Sequence, residues 1–110
     1  MAYDEQLAER IRPLLAERVD MDERAMFSGL SFLIGGHICC AVRGEDLLAR
    51  VGPEAAAELQ GSEPGVELAQ MGVRTMNGWL QVSGEAIADD ADLERWVRRG
   101  EEFAAALPPK

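Results

Sequence analysis

The residues best suited to chemistry stand together in one tetrad. HICC, His37 to Cys40, holds the only histidine and both cysteines of the 110-residue chain. Imidazole and thiolate are the usual ligands of zinc and the working groups of thiol catalysis, so the tetrad raises both chemistries. A closed zinc site takes about four ligands, and no CxxC pair or second histidine is there to supply the rest. A nucleophilic cysteine needs a neighbouring base or cation to lower its pKa. His37 lies at a turn end, with no third group to orient it. We therefore read no metal, no cofactor and no catalytic residue. Both thiols are expected to be small apolar wall residues, as free cysteines usually are. GLSFLIGG also lacks the Lys-Ser/Thr ending of a phosphate loop.

Three arginines form a second set. Arg43, Arg50 and Arg74 stand in or beside strand-like runs of an acidic chain. They would either line a pocket for a small anion or pair with acids such as Glu45 and Asp46, covering apolar surface with their stems. The net charge is −9, and no segment carries the basic excess that phosphate binding needs. Direct binding to duplex DNA or RNA is not expected, nor is attraction to an anionic membrane surface. No window approaches the ~20 apolar residues that span a bilayer. MAYDEQLAER is acidic and amphipathic, the opposite of a secretory signal. Adjacent cysteines in a chain of this kind point to a reducing compartment, and the cytoplasm is the expected location.

The elements that would position these residues follow from periodicity. Leu7, Ile11, Leu14 and Leu15 fall at helical spacing from a start near Asp4, interrupted by Pro13. Leu93, Trp96, Val97, Phe103, Ala104 and Leu107 form a longer stripe with Gly100 on the same side, capped by Asp89 or Asp90 and stopped by Pro108-Pro109. PEAAAELQ starts on Pro53, favourable in a first turn. The predicted helices cover 4–18, 53–60 and 89–107. Between them, LSFLI and HICCAV flank Gly35-Gly36, a two-residue hairpin turn. LLARV, the run from Met71 to Met76, and GWLQVS read as further strands, and GSEPGVE as an acidic loop. The reading is one domain over 1–110, of the α+β class: an antiparallel sheet of five to six strands with helices on one face.

Strand alternation then sorts the side chains by face. With Ile34 opposite His37 and Phe32 opposite Cys39, the residues Leu30, Phe32, Ile34, Cys39 and Ala41 share one face. Leu33, Ile38, Cys40 and Val42 share the other. Both faces are oily, whereas a sheet covered on one side only should be polar on its second face. The second face is covered either by a homodimer or a protein partner, with Leu30, Phe32, Ile34, Cys39 and Ala41 as candidate interface, or by more of the chain's own helices and loops. Trp79, after Gly78, is expected to cap the core.

The ordered segments AMFSGLSFLIGGHICCAVRGEDLLARVGPE, RTMNGWLQV and DDADLERWVRRG resemble the amino-terminal domain of the TfoX/Sxy competence-regulator family. The resemblance runs from Tyr3 to Pro109. It rests on Met26-Phe27, Gly29, Cys39-Cys40, Val42-Arg43, Arg50-Val51-Gly52-Pro53 and Gly78-Trp79, with Ser28 and Pro13 as departures. It implies a secretion-chaperone-like α+β fold. Longer members are transcriptional coactivators of competence genes and carry a second, helix-hairpin-helix-like DNA-binding module. The expectation here is a stand-alone domain without that module: a regulatory or protein-interaction domain, not an enzyme, with a transcription regulator among its candidate partners. The competing expectation is a small-molecule-binding or catalytic domain built on His37, Cys39 and the nearby arginines.

Overall fold

The computed structural model describes residues 3–26, 29–71 and 73–108. Phe27, Ser28 and Pro109, used in the sequence reading, lie outside the described residues. The chain runs α1 (Glu5–Leu15), β1 (Met21–Met26), β2 (Gly29–Ile34), β3 (His37–Arg43), β4 (Asp46–Arg50), α2 (Pro53–Leu59), β5 (Val66–Met71), β6 (Arg74–Val82), a 3₁₀ turn (Gly84–Ile87) and α3 (Asp90–Ala106). The six strands form one antiparallel sheet in the order β1-β2-β3-β4-β6-β5. This is the expected α+β architecture.

Local chemistry explains most element ends. Asp4 caps α1 by accepting from the amides of Gln6 and Leu7, and Asp89 caps α3 by accepting from Ala91. Each cap satisfies donors that the first helical turn leaves free. Gly35 and Gly36 take φ values of 58° and 86°, the double left-handed turn that suits a two-residue hairpin. Pro53 opens α2 directly after Gly52.

Every buried helical side chain belongs to one core with one face of the sheet. Leu7, Ile11 and Leu15 of α1, Ala56 of α2, and Leu93, Trp96, Val97 and Ala104 of α3 pack with Phe32, Ile34, Cys40, Val42, Leu47 and Leu80. Trp96 and Phe32 are the largest fully buried side chains, and they anchor this core.

Two strand readings are corrected. The run from Met71 to Met76 is not a single strand: β5 ends at Met71 and β6 begins at Arg74, so the hairpin turn falls inside it. The first strand, MDERAM, carries too many charges to show an oily alternation. It is an edge strand whose Glu23 is neutralised by Arg12 at 2.9 and 3.0 Å.

Part of the second face is covered by the chain itself. Ala41, Leu48 and Ala69 form a separate buried cluster, with Met76 and Trp79 packed against it. In a flat sheet β5 would stand three strand spacings, about 14 Å, from β3. Yet Arg43 of β3 donates to the carbonyl of Gln70 on β5 at 3.0 Å. The β5–β6 hairpin must therefore curl back over β3 and β4. The register shift between Leu68 and Gln70, and Gly78 at φ 87° within β6, supply the bend. Over Ala41, Leu48 and Ala69 the cover is the chain's own β5–β6 hairpin.

Candidate functional site

The hairpin that carries HICC departs from simple alternation at one position. Ile34 pairs with His37 and Leu33 with Ile38, but Phe32 pairs with Cys40, leaving Cys39 as the extra residue of a β-bulge. A bulge adds one residue and turns its side chain off the alternating pattern. Cys39 and Cys40 therefore point into the same core, both fully buried, with their sulfurs 3.7 Å apart. The hydrogen bond from the Cys39 thiol, and after it burial, push the Cys40 thiol well above its ordinary range.

The bulge also corrects the expected faces. Leu30, Phe32, Ile34 and Cys39 lie in the helix-covered core, while Ala41 lies in the second cluster under the β5–β6 hairpin. The five candidate interface residues do not share a face, and none is more than 7% exposed. Past the bulge, β3 runs one residue out of phase with the unbulged alternation.

His37 and the thiols do not form a constellation. The His37 ring joins its Nε2 to the carbonyl oxygen of Pro108 at 2.7 Å, holding the chain after α3 against the hairpin. No group of three or more His, Cys, Asp or Glu side chains able to hold a metal occurs among the described residues.

Two of the three arginines are engaged with the chain's own groups. Arg43, at the β3–β4 turn, donates to Gln70 and to the side chain of Gln81. Arg50, at the other end of β4, stacks its guanidinium 5.4 Å from the Phe103 ring. Arg74 is exposed at the tip of the β5–β6 hairpin. The partners of Arg43 and Arg50 are amide, carbonyl and aromatic groups in place of the expected Glu45 and Asp46.

An acidic cleft lies elsewhere. It has a volume of about 600 Å³ and opens between the start of α1, the β3–β4 turn and the 3₁₀ turn. Asp4, Glu45, Asp46 and Glu85 make it acidic, and Arg10 is its only cation. Two of these carboxylates have structural duties. Asp4 caps α1, and Asp46 accepts from Gln81 at 2.6 Å and from the amide of Gly84 at 3.2 Å. Arg10 donates to the carbonyls of Ile87 and Ala88 and to Asp90, tying α1 to the start of α3. Nothing in the spacing of Arg10 marked it in advance, and Asp46 was named only as an arginine partner.

Gly100 did carry a signal. A glycine inside a helix costs about 1 kcal/mol against alanine, so a packing reason is expected. That reason is the bulge: a Cβ at Gly100 would stand 2.2 Å from the Cys39 carbonyl oxygen. Helix α3 touches the bulged strand backbone to backbone.

A family model described as the TfoX N-terminal domain matches residues 13–104. The chain belongs to the TfoX N-terminal domain family. No curated protein and no solved structure matches it at a significant level. The matched span takes in the last turn of α1, the whole sheet, α2 and nearly all of α3, so most core residues of this TfoX-type domain fall inside it, while Leu7, Ala8 and Ile11 of α1 precede it. No described helix is long and apolar enough to cross a membrane.

Proposed function

We propose that this TfoX-type domain is a small cytoplasmic regulatory domain that works through contact with another protein, a transcription regulator being the class its relatives suggest. Membership of the TfoX N-terminal domain family carries this reading. The placement of the reactive residues supports it over the catalytic alternative. His37 is engaged with a backbone carbonyl, Cys39 is fully buried, and Arg43 and Arg50 are occupied by Gln70, Gln81 and Phe103. A charge of −9 supports contact with protein rather than with nucleic acid. Partner contact then falls on the outside of the shell, because the apolar residues first suited to an interface are occupied in the two clusters.

Affinity capture from the native cell, with reciprocal capture of each enriched protein, tests this. Enrichment of a transcription factor or an RNA polymerase component supports the proposal. Consistent enrichment of the enzymes of one metabolic route, with substrate turnover by the purified domain, would overturn it.

A further inference from the structure

The two thiols are the one set of nucleophilic side chains that the proposed function leaves unused. In a regular strand adjacent side chains point to opposite faces and cannot be bridged. The bulge at Cys39 removes that obstacle: both side chains enter one core, with sulfurs in contact at 3.7 Å. We propose that Cys39 and Cys40 close into a reversible vicinal disulfide, and that closure unseats α3 from the sheet.

The coupling to α3 follows from the geometry. A disulfide needs its sulfurs about 2.05 Å apart, and its Cα atoms are usually at least ~4.4 Å apart. Neighbouring residues across a trans peptide are held near 3.8 Å, so closing the ring must twist the peptide unit between Cys39 and Cys40. The carbonyl of that unit is the oxygen pressed against Gly100, where even a methyl group would overlap at 2.2 Å. The twist therefore moves against backbone that has no slack. Strain of this kind makes a disulfide easily reduced, which suits a bond that forms under oxidising conditions and reopens when thiols return.

The reaction balances with a small disulfide as oxidant. When α3 lifts, one cysteine thiolate attacks a sulfur of the oxidant and expels one small thiolate, giving a mixed disulfide. The second cysteine thiolate attacks the protein-bound sulfur, forms the Cys39–Cys40 bond and expels the second small thiolate. The two protons from the cysteines end on the two released thiols. Two protein thiols are oxidised and one small disulfide is reduced. The contact with Cys39 and burial keep Cys40 protonated while the core is closed, so local opening of α3 gates the reaction.

The test uses the reduced native protein with oxidised glutathione as probe, read by intact mass and peptide mapping. The expected result is loss of two hydrogens within the Cys39-Cys40 peptide, reversed by dithiothreitol. Cys39→Ala and Cys40→Ala should each stop at a glutathione adduct or stay unmodified. In a Trp79→Phe background, oxidation should shift the emission of buried Trp96 to the red and speed amide exchange along α3. If an alanine variant does not fold, iodoacetamide blocking of the reduced native protein replaces it and should abolish the loss of hydrogens. An unchanged mass under native conditions, disulfide-linked dimers, or loss of two hydrogens with unaltered α3 exchange would each overturn the proposal.

Discussion

Replacing Gly100 with alanine sets two effects of opposite sign against each other. Helix propensity alone favours Gly100→Ala by about 1 kcal/mol at an interior position. Packing opposes it, because the new Cβ would lie 2.2 Å from the Cys39 carbonyl oxygen and 3.1 Å from its carbon. Ordinary contact begins near 3.4 Å, so α3 must rise by about an ångström along that line. Both opposing atoms are strand backbone, which cannot rotate away as a side chain would. Lifting α3 would loosen Leu93, Trp96 and Val97, all at most 1% exposed. Overpacking of this kind costs about 1–3 kcal/mol. Strand backbone being the least yielding neighbour, we place this case near the upper end, for a net loss of about 1–2 kcal/mol after the propensity gain. Urea unfolding followed by tryptophan fluorescence measures it. With a slope of about 1–3 kcal/mol per molar urea, the midpoint should fall by roughly 0.5–1 M. A midpoint that stays level or rises would refute the close approach of α3 to the bulge.

Three further outcomes are expected. Ile34→Glu, which on the sequence reading would have split a dimer, should instead unfold the domain, because Ile34 is 1% exposed and an unpaired buried charge can cost more than about 4 kcal/mol; a cooperative melt near that of the native protein would contradict this. Glu63 is held below the usual carboxylate range by its hydrogen bonds to Arg95, so its contribution is complete above the unfolded value near ~4.3 and drains away as pH falls through the lower folded value. The stability gap between the native protein and Glu63→Gln should accordingly close as pH falls below the unfolded value in acid titrations of unfolding, and a gap that widened there would reverse the sign of the argument. Duplex DNA at ~0.15 M salt should bind no more tightly than the ~10⁻⁴–10⁻⁶ M typical of non-specific association, and a fluorescence-anisotropy titration reaching submicromolar affinity would refute that.

What the sequence made legible was local. Gly35-Gly36 announces its turn because few residues accept two left-handed positions. Asp4 and Asp89 announce their helices because a carboxylate satisfies the free amides beside it. The bulge at Cys39 is a property of β3 against β2, and no residue in HICC requires it; that one extra residue put Cys39 and Cys40 on the same side and broke up the expected interface. The curl of the β5–β6 hairpin depends on contacts between strands far apart in sequence, such as Arg43 with Gln70. Gly78 at φ 87° was visible as a glycine, but nothing local said which way the hairpin would fold. The candidate site shared this fate. The residue types were plain, while their faces and spacing were set by tertiary pairing.

The regulatory reading is tested most directly by deleting the gene in its native cell and measuring transcripts and metabolites together, with complementation by the native protein. The account predicts a coordinated change in a defined group of transcripts, restored on complementation, with no accumulation of a single metabolite. An unchanged transcript profile with one metabolite accumulating would contradict it and favour an enzyme.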